Sequence, residues 1–246
     1  MKEQVIEWIR EYFKENGPNC NAIIGISGGK DSSVCAALLV EALGKDRVIG
    51  VLMPQGKQHD IDVSLELVNL LGIKYHIVNI GEVYNSITKA ISDEGKITNE
   101  DMSSNKVFYS NTPARIRMMV LYGISALYNG RVVNTGNKSE DYVGYSTKFG
   151  DAAGDFGILN DFLVKEVKQI GYELNLPKKF IEKAPEDGLS GKTDEDNLGF
   201  SYAVLDRYLE TGEIDSLEIK EKIERLHRLN LHKINPMPVF KRKRDN

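Results

Sequence analysis

The sequence predicts a single α/β domain built on an open, mostly parallel sheet flanked by helices. Three observations predict it. Short apolar runs alternate with amphipathic stretches through the first half of the chain, and a Gly-rich turn joins the first such run to the helix after it. The length of 246 residues suits one domain of ordinary to large size and is too short for two comfortable ones.

Residues 2–15 carry Val5, Ile6, Trp8, Ile9, Tyr12 and Phe13 at helical spacing, closed by Asn16-Gly17-Pro18, which makes Trp8 a packing residue. Residues 22–26 read as the first strand, and residues 32–43 return to helical period. Residues 47–53 read as a second strand, 61–71 as a second helix and 75–80 as a third strand. A long helical stretch over 113–128 precedes a fourth strand at 131–135. Beyond residue 160 the pattern is helical, ending in the tail Asn235-Pro236-Met237-Pro238. Alternation of this kind implies parallel strands buried on both faces, with ligands bound at their carboxyl ends. The loops after Ile26, Met53 and Thr135 are therefore where a site is expected.

Composition excludes several classes. Hydrophobic residues at 41% and charged residues at 28% are the shares of a soluble globular protein, which sets aside disordered and membrane-embedded chains. No apolar run approaches the roughly 20 residues of a membrane span. The mixed-charge amphipathic start is neither a signal nor a transit peptide. A net charge of −4 argues against general nucleic-acid binding, and Lys241-Arg242-Lys243-Arg244 reads as a solvated tail. Cys20 and Cys35 follow no metal or redox spacing and read as reduced thiols of a cytoplasmic protein.

The informative stretch is Gly25-Ile26-Ser27-Gly28-Gly29-Lys30-Asp31-Ser32-Ser33. Its glycines let the backbone turn tightly and approach a ligand, its serines add hydroxyl donors, and the helix start adds unpaired N–H groups. Together these make a nest suited to phosphate; on the glycines alone, a purely structural turn is the alternative. The Walker pattern is excluded because Asp31 rather than Ser or Thr follows Lys30. The dinucleotide fingerprint is excluded because Ser32 and Ser33 stand where a third glycine is needed. A carboxylate inside a phosphate nest repels the ligand unless a cation lies between them, so Asp31 predicts a bound Mg²⁺.

Ser27-Gly28-Gly29-Lys30-Asp31-Ser32 resembles the Ser-Gly-Gly-x-Asp-Ser loop of the ATP pyrophosphatase superfamily, whose members cleave ATP between the α and β phosphates. Asn111-Thr112-Pro113-Ala114-Arg115-Ile116-Arg117-Met118 resembles a signature of the NAD synthetases within it. Thr135 to Glu140, then Gly144 to Asp151 with Asp155, resemble their active-site loop. Lys192-Thr193-Asp194-Glu195, Leu198-Gly199 and His232-Lys233 continue the match, which spans roughly residues 20 to 235. The resemblance implies a Rossmann-like, adenine nucleotide alpha-hydrolase-like fold and the ATP-dependent amidation of deamido-NAD with ammonia. The products would be NAD, AMP and diphosphate.

Carried over residue by residue, the resemblance puts ATP on the loop from Gly25 to Ser33 and on Gln58 and Thr135. It puts deamido-NAD on Arg115, Lys148, Asp155, His232 and Lys233, and Mg²⁺ on Asp31 and Glu140. Asp31, Lys148 and Asp151 are the expected catalytic residues, Asp151 lying near the ammonia site, where a carboxylate would bind ammonium and take its proton. On spacing alone Glu140 is more often a solvated carboxylate, while Arg115 is equally half of a surface ion pair; Arg117 reads as helix surface or as a residue behind the site. The chain departs from the common family pattern at Glu186, at Val164 with Lys165 displaced by one residue, and at Leu52.

The family mechanism implies an adenylated carboxylate attacked by ammonia, under a loop 136–155 that closes against water. A glutamine-hydrolysing domain would add a catalytic cysteine and several hundred residues; Cys35, inside the first strand's helix, reads as packing. Free ammonia is then the nitrogen source, with a separate ammonia-supplying protein as one origin. A homodimer is implied by the resemblance; no nucleic-acid or membrane partner is expected. Two rivals stand beside this reading: another ligase of the superfamily, acting in tRNA thiolation or amidation, and a non-catalytic nucleotide-binding module.

Overall fold

A computed structural model describes residues 1–57, 61–183 and 193–242. In chain order the elements are α1 (Lys2–Asn16), β1 (Asn21–Gly25), α2 (Lys30–Leu43), β2 (Val48–Leu52), α3 (Ile61–Leu71), β3 (Lys74–Ile77), α4 (Gly81–Ser92), α5 (Asn99–Ser104) and α6 (Lys106–Leu127). They continue with β4 (Gly130–Asn134), α7 (Lys138–Val143), β5 (Phe156–Gly157), α8 (Val164–Glu173), α9 (Lys178–Ile181), α10 (Asp194–Leu198), α11 (Tyr202–Thr211) and α12 (Leu217–Ile234). The strands form one parallel sheet in the order β3-β2-β1-β4-β5.

Strand alternation divides the core between the two faces. Ala22, Ile24, Val48, Leu52 and Val133 face α1, α2 and α8, while Ile23, Ile49, Val51 and Val132 face Met118 and Leu121 of α6. Helix α2 is sandwiched between the sheet and α1 and α8, and Val34, Cys35, Ala36, Leu38 and Leu39 are fully buried. That position explains its nearly continuous apolar sequence, because a helix covered on all sides has no polar face to show. Cys35 packs as expected, and burial pushes its thiol pKa up, away from nucleophile chemistry. A second cluster, built from Val143, Leu198, Phe200, Leu205 and Ile223, ties α7 and α10 to α11 and α12.

The differences from the sequence reading lie at the margins. Edge strand β3 is not buried on both faces: Tyr75 and Ile77 are exposed. Trp8 stacks on Tyr12 at 5.7 Å between ring centres but remains 44% exposed, so it packs on the rim rather than in the core. Helix α6 begins well before Pro113, and α4, α5 and the two-residue β5 add elements that the period analysis does not reveal.

Strand order places the crevice. The chain steps outward from β1 through β2 to β3 and then returns to lay β4 on the other side of β1. The loops leaving β1 and β4 thus diverge at their carboxyl ends, the switch point where sheets of this kind bind ligands. Gly28 to Lys30 and Thr135 to Asn137 are the residues brought there.

Candidate active site

The turn after β1 is braced by its own hydroxyls. Gly28 has a φ of 76°, and a Cβ there would lie 3.1 Å from both Val63 and Ser64, so the left-handed turn and the close approach of α3 both favour glycine. Ser32 and Ser33 donate to the carbonyl of Gly29 at 3.2 and 2.7 Å, and the Ser27 and Ser32 hydroxyls meet at 3.1 Å. Ser33, fully buried, therefore holds the loop's shape. No side chain caps α2, so the first-turn amides ahead of Ser33, whose own amide bonds the Gly29 carbonyl at 3.1 Å, are open to a ligand.

Opposite that turn, β4 ends at Asn134 and the chain passes through half-buried Thr135 into α7. Asn137 caps α7, its Oδ1 accepting from the Glu140 amide at 3.0 Å, and its Nδ2 donates to Asp31 Oδ1 at 2.9 Å. One fully buried amide so locks the two walls together. Asp31 and Glu140 then converge on the ammonium of Lys30, Asp31 Oδ2 at 2.7 Å and Glu140 Oε1 at 3.4 Å. Burial pushes the pKa of Glu140 up, with Asp31 adding to the rise and the Lys30 ammonium opposing it. The Lys30 ammonium is disfavoured by burial, but Asp31 and Glu140 outweigh that and hold its pKa above the ordinary value. Asp194, at the start of α10, lies within the same electrostatic cluster; burial lifts its pKa to about 6.

Two hard oxygen donors aimed at one point already filled by a cation are a donor set that suits Mg²⁺, which binds through one or two carboxylates and takes its remaining ligands from phosphate and water. Among the described residues no group of three or more acidic, His or Cys side chains is arranged to hold a metal alone. An ion here would therefore depend on the phosphates of a bound nucleotide.

Most of the residues expected to hold deamido-NAD gather on the loop that follows α7. Arg115 Nε donates to the Lys148 carbonyl at 3.2 Å, Lys148 Nζ to the His232 carbonyl at 2.5 Å, and Lys233 Nζ to the carbonyls of Gly144 and Ser146 at 2.6 and 2.8 Å. Arg115, Lys148, His232 and Lys233 are thus gathered where the loop 144–151 is clamped between α6 and α12. Gly144 is the pivot: a Cβ there would fall 2.0 Å from the Asn230 side chain. Asp151 accepts from the Thr147 amide at 2.9 Å, and burial raises its carboxyl pKa, with Lys233 opposing. Asp155 belongs to a different set, accepting from the Val132 amide at 2.7 Å and the Tyr122 hydroxyl at 3.2 Å on the flank of β4. Gln58 lies outside the described residues, as do Glu186 and Lys192.

Val164 is buried in the second cluster, and Lys165 reaches outward to Glu210 at 2.6 Å, so neither supplies a cation to the phosphate loop. Leu52 is a core residue of β2. Arg117 is no surface residue: its Nε donates to the Met53 carbonyl at 3.1 Å, at the carboxyl end of β2, and burial lowers its pKa. Asn137 was legible as an N-cap pattern three residues before Glu140, although its reach to Asp31 was not. Phe149, 66% exposed with a φ of 63°, is a strained aromatic in the loop 144–151 with no local signal in the sequence.

A parallel α/β sheet with a Gly-rich turn and two carboxylates converging on one cation at its switch point is the arrangement expected of an ATP-using nucleotide enzyme of the pyrophosphatase type. Comparison with known proteins refines that class. The NAD synthase family matches residues 1–244. The NH(3)-dependent NAD(+) synthetase of Methanocaldococcus jannaschii is 39% identical over 217 residues, 86% of this chain and 82% of its own length. The solved NMN synthetase from Francisella tularensis is 32% identical with a TM-score of 0.86, covering 97% of this chain and 96% of that one. The NH3-dependent NAD synthetase of Campylobacter jejuni is 29% identical with a TM-score of 0.75, covering 98% and 97%. The chain belongs to the NAD synthase family.

Proposed function

We infer that the protein is a ligase that amidates deamido-NAD with ammonia, consuming ATP and releasing NAD, AMP and diphosphate. The observation that carries this reading is the convergence of Asp31 and Glu140 on one cation position beside the phosphate nest, in a chain of this family. In the first step a carboxylate oxygen of the nicotinate attacks the α-phosphorus, the bond to the β-phosphate oxygen breaks, and pyrophosphate leaves. In the second, ammonia adds to the adenylated carbonyl carbon and AMP departs with the former carboxylate oxygen.

The residues divide this work. The amides from Gly28 to Ser32 and the exposed Ser27 hydroxyl cradle the leaving pyrophosphate, with the Ser32 and Ser33 hydroxyls bracing the turn, Gly25 and Ile26 setting the strand end and Thr135 opposite, against the nucleotide. Mg²⁺ held by Asp31 and Glu140 would offset charge on the pyrophosphate. Arg115, Lys148, His232 and Lys233 bind and orient the anionic dinucleotide, Asp155 contributing from the β4 flank. Asp151, its proton affinity raised by burial, binds ammonium and accepts its proton. The clamps on loop 144–151 exclude water from the adenylate. No protein nucleophile is required, which fits the inert Cys35.

Ammonia as donor fits the names of relatives matched over most of both lengths. A homodimer fits the apolar side chains that α6 leaves exposed, Val107, Met119 and Leu127 among them. A cytoplasmic setting fits two free, buried thiols; among the described residues no helix is long and apolar enough to cross a membrane. The fold match to an NMN synthetase favours a second reading, in which the acceptor is the nicotinate mononucleotide. Purified protein with ATP, Mg²⁺ and ammonium chloride, offered the dinucleotide and the mononucleotide in separate assays, tests both. Formation of NAD supports the first reading, a clear preference for the mononucleotide replaces it with the second, and AMP release from neither removes both.

A further inference from the structure

Lys30 has no role in the chemistry above beyond its place in the loop, yet its ammonium is held tightly in the site. It is only 3% exposed, and a lysine so enclosed is stable only with acidic partners. Its ammonium reaches Asp31 at 2.7 Å and Glu140 at 3.4 Å and lies 5.5 Å from the centre of the Tyr202 ring, the kind of π-face that favours a cation. Asp194, whose carboxylate meets the Tyr202 hydroxyl at 3.5 Å, adds a further negative charge on that side. The pocket thus offers its fixed negative charge to a single point, and that point is an amine of the chain itself.

Those same carboxylates are the ones the proposed function assigns to the divalent ion, and the present inference rests on that assignment. Mg²⁺ sits about 2.0–2.1 Å from its oxygen ligands. An ion bound by both Asp31 and Glu140 would fall within the space of the ammonium, and two cations that close repel strongly in a site this dry.

We propose that Lys30 and the divalent ion are alternative occupants of one position, so that the ion enters only as the ammonium leaves. Lys30 neutralises the acidic pair and keeps free divalent ions out. A triphosphate supplies both the extra oxygen ligands that favour the ion and a new anionic partner for the displaced ammonium, which stands on a flexible stem inside the phosphate nest. Ion and nucleotide therefore bind with positive coupling, each raising the affinity of the other by the same factor.

The test is Mn²⁺ binding to the full chain followed by electron paramagnetic resonance, without nucleotide, in wild type, Lys30→Met and the double variant Lys30→Met with Glu140→Gln. Lys30→Met keeps the stem over Tyr202 and removes the charge. Its Mn²⁺ affinity is expected to exceed that of wild type by about tenfold or more, a gain that Glu140→Gln cancels. Equal affinity in wild type and Lys30→Met overturns the proposal. If Lys30→Met does not fold, wild type decides alone: a tight Mn²⁺ site without nucleotide that Glu140→Gln abolishes overturns it, and weak binding supports it. The same titration with a non-cleavable ATP analogue separates the two layers. If Glu140→Gln leaves Mn²⁺ binding unchanged there, the metal assignment falls and this proposal with it. If only the nucleotide-free comparison fails, the assignment stands and Lys30 is a permanent structural partner.

Discussion

Asn137 joins Asp31 across the crevice, its Nδ2 donating to Asp31 Oδ1 at 2.9 Å from a fully buried position 106 residues later in the chain. The same side chain caps α7 through the Glu140 amide, so a single amide sets the spacing of both carboxylates. Asn137→Ala removes the cap and leaves Asp31 short of a donor, which should lower stability by about 1–3 kcal/mol. Thermal unfolding checks the stability term. Steady-state turnover should fall as well, with weaker dependence on Mg²⁺ concentration; a variant as stable and as active as wild type would show that the bridge positions nothing.

Asp31→Asn preserves the shape of the side chain and its contact with Asn137 while removing its charge. Turnover should fall by about 10²–10³-fold, the loss typical of one preorganised electrostatic group. Circular dichroism should show an intact fold. Activity near that of wild type would remove Asp31 from the cation position.

Lys148→Met tests the substrate loop. Loss of a charge-assisted contact of about 1.5–3 kcal/mol should lower kcat/KM for deamido-NAD by about 10- to 150-fold, mostly through KM, and leave the KM for ATP little changed. An equal rise in both KM values would mean that the loop as a whole had shifted, since Lys148 also fixes the His232 carbonyl.

Asp194 makes stability depend on pH in a particular direction. Burial raises its pKa from 3.8 to about 6 in the folded protein, so between those values the folded state binds more protons than the unfolded one. Stability contributed by the protonated carboxyl is therefore full below pH 4 and declines as pH rises toward about 6, by a total of about 1–3 kcal/mol. Urea unfolding of wild type and Asp194→Asn across this range, in the presence of a chelator, should show the decline in wild type alone. Parallel curves would place the titration elsewhere.

The parts of this architecture that depend on neighbours in sequence were legible before any coordinates. The Gly28–Gly29 turn and the buried fate of Cys35 follow from local pattern, and the structure places them as read; Asp31 stands on that turn, paired with Lys30. What escaped depends on distances between segments far apart in the chain. Nothing near Lys30 reveals that Glu140, 110 positions on, meets its ammonium, nor that Asp155 turns to the Val132 amide instead of joining Lys148. The inward direction of Arg117 is set by how α6 rolls on the sheet, which periodicity blurred because that helix has apolar residues around much of its surface. The exposure of Tyr75 and Ile77 follows from β3 lying at the sheet edge, a matter of strand order that no single strand encodes.

The central claim is that the nicotinate carboxylate is activated by transfer of AMP. Deamido-NAD carrying ¹⁸O in that carboxylate, turned over with ATP, Mg²⁺ and ammonium, tests it directly by mass spectrometry of the products. The account predicts AMP bearing one ¹⁸O for each NAD formed, with unlabelled pyrophosphate. Unlabelled AMP, or ADP and phosphate in its place, would contradict it.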